Sequence, residues 1–131
     1  MSYYFTTKLE MPFHEAIEAA KSALKRGGFG VLTEIDVVET LKKKLDVDFR
    51  PYVILGACNP PFAHRALETE DKIGLMLPCN VIVQDAGGGL TEVAAIDPLA
   101  TMRAVENPSL ADIGEAVSEK LARVIEELGS A

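Results

Sequence analysis

Hydrophobic positions along this chain switch between a period of two and a period of three to four, and the switches mark its elements. Tyr3, Phe5, Thr7 and Leu9 alternate with Tyr4, Thr6, Lys8 and Glu10, the pattern of a half-buried strand. Pro12 suits a first helical position, and Phe13, Ile17, Ala20 and Leu24 follow at helical spacing until Gly27-Gly28 stops the run. Phe29, Val31, Thr33 and Ile35 alternate again. Asp36 with Glu39 forms a capping box that opens a short helix through Val38, Leu41 and Leu45, with Lys42-Lys43-Lys44 on its solvated side. The apolar run from Tyr52 to Cys58 predicts a buried strand, and Asn59 then caps a short helix with Pro60 in its first turn. Gly74 to Asp85 is expected as strand, with Pro78 at an edge, bulge or break because it cannot donate to a ladder. Gly87-Gly88-Gly89 is a hairpin tip, and Leu90 to Ile96 returns. Asp97-Pro98 starts a minor helix, and Ser109 with Asp112 opens a long one striped by Leu110, Ile113, Val117, Leu121, Val124 and Leu128.

No linker or composition shift divides this order, so residues 1–131 are expected to form a single α+β domain, a mainly antiparallel sheet with long helices on one face. The chain is 48% hydrophobic and 25% charged, which excludes disorder. Thirteen basic against twenty acidic residues leave a net charge of −7, an unfavourable field for nucleic acid or an anionic membrane. Neither a secretory signal nor an apolar run of membrane-spanning length is visible. A cytoplasmic location with reduced thiols is the expectation.

Catalytic signatures are absent: there is no G-x-S-x-G, Walker lysine, H-E-x-x-H or C-x-x-C, so no reaction and no cofactor is assigned. The triple glycine lies between strands, where a hairpin fits better than a phosphate cradle. His14, beside Glu15, is a surface position, and Glu68 and Glu70 match a solvated helix end. One constellation carries chemistry. Cys58-Asn59-Pro60-Pro61-Phe62-Ala63-His64 sets a thiol before a helix N-terminus and an imidazole five residues into that helix, and a second pair, Cys79-Asn80, follows the Leu77-Pro78 break. A thiol at a helix start tends toward thiolate, but two prolines remove N–H donors that would hold it.

Three readings follow. Both cysteines are small packing groups, Cys79 sharing strand parity with Val81 and Val83; or they form a thiol or ligand site; or Cys58, His64 and Cys79 ligate a metal. Of the two thiols, Cys58 is expected to be the more reactive and Cys79 to serve mainly in packing.

The same residues resemble a known family. The segments from Gly28 to Asp36, Ile54 to Pro61, Ala63 to Leu67, Ile73 to Val81 and Ala95 to Pro98 are similar to the domain of unknown function 302 family, over nearly the whole chain. Asp71 departs from a proline common after the glutamate at Glu70. The resemblance implies a curved antiparallel sheet like one half of the TATA-binding-protein fold, and homodimers. It carries no activity or catalytic residue. The expectation is a small soluble homodimeric module, without nucleic-acid or membrane partners. It binds a small-molecule ligand, through thiol or metal chemistry, around Cys58, Asn59, His64, Cys79 and Asn80. The alternative is a non-catalytic structural or protein-interaction domain with both cysteines buried.

Overall fold

The computed structural model describes residues 2–130. Strand β1 (Tyr4–Leu9) leads into helix α1 (Phe13–Arg26), which starts one residue after Pro12 and stops at Gly27. Strand β2 (Gly30–Asp36) and helix α2 (Val37–Leu45) meet where the Asp36 carboxylate accepts the Glu39 N–H at 3.1 Å. Strand β3 (Tyr52–Cys58) and helix α3 (Pro60–Thr69) are joined by Asn59, whose side-chain oxygen accepts the Phe62 N–H at 3.3 Å. A 3-10 turn over Ile73–Met76 precedes strands β4 (Cys79–Gly87) and β5 (Leu90–Ile96). Helix α4 (Pro98–Met102), a second 3-10 turn over Pro108–Leu110 and helix α5 (Ala111–Ser130) complete the order.

All strands are antiparallel, in the spatial order β1-β5-β4-β3-β2. Register stacks apolar side chains in rows across the sheet, with Phe5, Ala95, Val81 and Leu55 in one and Thr7, Val93, Val83 and Val53 in the next. Helices α1 and α5 lie over these rows and bury Ala20, Leu24, Val117, Leu121 and Val124 against them. Truncating a fully buried leucine here, such as Leu55 or Leu121, is expected to cost about 2 to 5 kcal/mol. The expected α+β architecture is the observed one. Gly87, Gly88 and Gly89 all take positive φ at the β4–β5 turn, a conformation other residues rarely adopt.

Four local expectations are corrected. The stretch from Gly74 to Asp85 is not continuous strand: its first part coils into the 3-10 turn, and β4 begins only at Cys79, after the cis Leu77-Pro78 bond. In β2 a bulge between Val31 and Thr33 shifts the pairing, so Val31 faces the helices opposite Ala57 while Ile35 falls on the other face opposite Ile54. The shift also turns Glu34 toward α1, where Lys21 meets it at 2.6 Å. Helix α2 buries none of its residues, and Leu45 is 66% exposed. Finally, it is Asn107, not Ser109, whose side chain caps the turn before α5, accepting the Ser109 N–H at 3.1 Å.

Because helices cover one face, the other side of the sheet is uncovered. At one end it carries a hydrogen-bonded ribbon across β4, β5 and β1, reached by Arg50 just ahead of β3. Arg50 Nε donates to Gln84 Oε1 at 2.9 Å, Gln84 Nε2 donates to Glu92 Oε1 at 2.9 Å, and Thr6 Oγ1 donates to Glu92 Oε2 at 2.6 Å. A groove of about 380 Å³ runs along it, lined by Gln84 and Glu92 of the ribbon and by the apolar Tyr4, Tyr52, Ile82 and Ile96.

Candidate functional site

Cys58 and Cys79 are close along the strand ladder because β3 and β4 pair with Ala57 opposite Cys79, and Cys58 is the next residue, with the opposite strand parity. Both are free and half-buried. They line one pocket with Asn59, Leu77 and Pro78 at its solvent side, while Phe29, Ala66, Met102, Ile113 and Val117 form its floor. The space inside is about 30 Å³, room for one occupant the size of a water molecule.

Each wall has a local cause. Asn59 ends β3 and starts α3, so the chain turns at Cys58, and α3 then presents Phe62, Ala63 and Ala66 inward. The opposite side is pinned by a close approach at Gly56. A Cβ there would lie 2.8 Å from Pro78 Cγ and would collide with the Thr33 side chain, so only glycine lets β2 and Pro78 close over β3. Met102 arrives on α4, which is held to α5 by the Ser118 hydroxyl donating to Asp97 Oδ1 at 2.8 Å. Burial pushes the Cys79 thiol up from its ordinary 9.0 to about 11, with the adjacent Cys58 adding to the rise. A thiol held in that state is a poor nucleophile at neutral pH.

Of the five residues singled out in the sequence, Cys58, Asn59 and Cys79 share the pocket, and two lie elsewhere. His64 follows Phe62 by two positions, about 200° around the helix, and so points outward. Its ring is three-quarters exposed, with Nε2 3.6 Å from Glu68 Oε1. Asn80 has the opposite strand parity from Cys79 and lines the groove on the uncovered sheet face. The metal set of Cys58, His64 and Cys79 therefore does not converge. Among the described residues no three His, Cys, Asp or Glu side chains are grouped to hold a metal ion. Likewise, no helix of the described residues is long and apolar enough to cross a membrane. Met102 was not visible as a pocket residue in the sequence. The Asp97-Pro98 cap predicted its helix, but five residues are too few for periodicity to assign a face.

Comparison with known proteins agrees with the resemblance. The family model described as "Domain of unknown function DUF302" matches residues 5–128. The crystal structure of an uncharacterized conserved DUF302 protein from Bacillus stearothermophilus is 31% identical, covers 98% of this chain and 99% of its own, and superposes with a TM-score of 0.89. No curated protein matches. The α+β fold, the paired Cys-Asn blocks and the match along almost the whole length together make this chain a member of the DUF302 family.

Proposed function

We propose that this protein is a small ligand-binding module whose site is the thiol-lined pocket between the end of β3, the start of α3 and the start of β4. The observation that carries the reading is that two free, half-buried cysteines from separate strands border one solvent-accessible concavity. Cys58 and Cys79 are the ligand-contacting residues, Asn59 shapes the mouth as the helix cap, and the ligand is compact. His64 and Asn80 are outside the contact set. Free thiols in use as ligands fit a reducing, cytoplasmic setting.

The test is alkylation of the native protein by iodoacetamide, read site by site by mass spectrometry. Cys58 should label without unfolding, and Ala63→Phe, which fills the mouth, should slow that labelling while leaving the urea midpoint nearly unchanged. Labelling of Cys58 that proceeds only at the rate of global unfolding would leave the packing reading in its place.

A second reading has its own observation, the uncovered sheet face. Tyr4 is 42% and Ile35 47% exposed there, beside the half-buried Tyr52, Ile54, Ile82 and Ile96. The polar end of the face carries Lys8 and Arg50 together with Glu92. A surface holding both charge signs can match a second copy of itself across a twofold axis, and a homodimer through this face is its proposed occupant.

A further inference from the structure

The chain carries a net charge of −7, yet one corner of it gathers cations. The end of α1 rests on α5 so closely that a Cβ at Gly27 would lie 2.7 Å from Val124 Cγ2. That contact fixes three basic residues around one point. Arg26 precedes Gly27 and continues the face of Ala19 and Ala23, which packs on the core. Lys120 lies one turn before Val124, and Arg123 directly before it. Positions three apart on a helix set their Cβ atoms about 5–6 Å from each other. The backbone, not a choice of rotamer, therefore brings the three together, and they border a cleft of about 190 Å³ with Glu127. No internal role uses up these charges. Among the described residues none of the three forms an ion pair. The carbonyls that end α1 need no cation either. Ala23 O and Leu24 O accept the Gly27 N–H at 3.1 and 3.0 Å, Leu24 O also accepts the Phe29 N–H at 2.8 Å, and Lys25 O accepts the Gly28 N–H at 3.1 Å. Lys120 and Arg123 stand before the last turn of α5, out of reach of the dipole at its own C-terminus.

We infer that this cleft binds the phosphate group of a small phosphorylated metabolite. The donor set decides the class. Guanidinium forks match phosphate oxygens bidentately, and an ammonium adds a point charge. Three cations beside the single Glu127 carboxylate leave two positive charges. That matches a phosphate monoester at neutral pH and exceeds what one carboxylate ligand needs. The size of the cleft leaves room for the carbon chain that carries the phosphate. Glu119 and Glu126 lie about 140° and 200° round α5 from Val124, so they turn away from the cleft. Charges beyond about 8 Å are largely screened at physiological salt, so the acidic remainder of the chain does not cancel the local field.

Glycerol phosphate titrated into the isotope-labelled protein at low ionic strength, followed by NMR, tests the inference. The backbone amides of Gly27, Gly28 and Val124 and the Nε–H groups of Arg26 and Arg123 should shift and saturate, and added sodium chloride should weaken the binding. Arg26→Gln combined with Arg123→Gln should weaken it by about tenfold or more, since each change removes a charge-assisted hydrogen bond. Both side chains are exposed, so the variant should fold. Glu127→Gln should tighten binding by about threefold, because it removes a like charge beside the phosphate. Glycerol without the phosphate should shift nothing there. Shifts that never saturate, that spread over lysines and arginines throughout the chain, or that survive in the double variant overturn the site. Inorganic phosphate bound as tightly as the ester would overturn the metabolite and leave the free ion as the ligand. Iodoacetamide labelling of Cys58 reports on the thiol pocket separately, so either reading can fail alone.

Discussion

Ser118 Oγ, buried on α5, donates a hydrogen bond of 2.8 Å to Asp97 Oδ1, the same oxygen that accepts the Leu99 N–H at 3.0 Å and caps α4. One carboxylate oxygen thus fixes the start of α4 and ties it to α5, and Met102 is the last residue of that short helix. Ser118→Ala removes a hydrogen bond to a charged group and should lower stability by about 1 to 3 kcal/mol in urea melts. Met102 should become more mobile with it, visible as a sharpened methyl resonance. An unchanged urea midpoint would mean that the cap alone holds α4.

Gly56 predicts a different kind of loss. An added Cβ would press on Pro78 Cγ at 2.8 Å and on Thr33, with neighbouring strands on both sides to resist a shift. Gly56→Ala should destabilise the protein by about 1 to 3 kcal/mol through overpacking, and Thr33→Ala should recover part of that loss. Full stability in the single variant would contradict the close approach.

The Cys79 thiol gives a pH signature. Its folded value of about 11 lies above the ordinary 9.0, so between these pH values the unfolded chain loses this proton while the folded chain keeps it. With fewer protons on the unfolded side, stability falls as pH rises. The contribution is fully present below pH 9 and is lost toward pH 11, about 2 to 3 kcal/mol in all. Comparison of urea melts for the parent and Cys79→Ala across this range isolates the group: the parent should lose more stability on going alkaline than the variant. Parallel curves would place the thiol in water.

The uncovered sheet face predicts a light-scattering mass of twice the 14.1 kDa chain at high concentration. Ile82→Glu, in the middle strand of that face, should return the mass to that of one chain without lowering the melting temperature. A mass of one chain at every concentration would remove the dimer.

Much of the fold was legible because its longest elements obey simple periods. Helix α5 shows its stripe from Leu110 to Leu128, and the hairpin announces itself in three glycines. What periodicity missed is where a single residue changes the phase. One extra residue near Leu32 moved Ile35 to the other face of the sheet, and the cis bond before Pro78 ended a run that looked continuous from Gly74. The site was legible by half for related reasons. The two cysteines stand out as residue types, and pairing of β3 with β4 sets both at the rim of one pocket. His64 stands five residues into the helix that Cys58 precedes, but α3 turns Phe62, Ala63 and Ala66 inward and leaves the imidazole outside. Met102 stayed hidden because the Asp97–Ser118 bond that positions it joins residues 21 apart in sequence.

Site-resolved iodoacetamide labelling of the reduced native protein over time in dilute urea tests the central claim most directly. Labelling of Cys58 at a rate independent of urea below the unfolding transition, with Cys79 labelled more slowly, is the predicted result. Labelling of Cys58 only at the rate of global unfolding would contradict it.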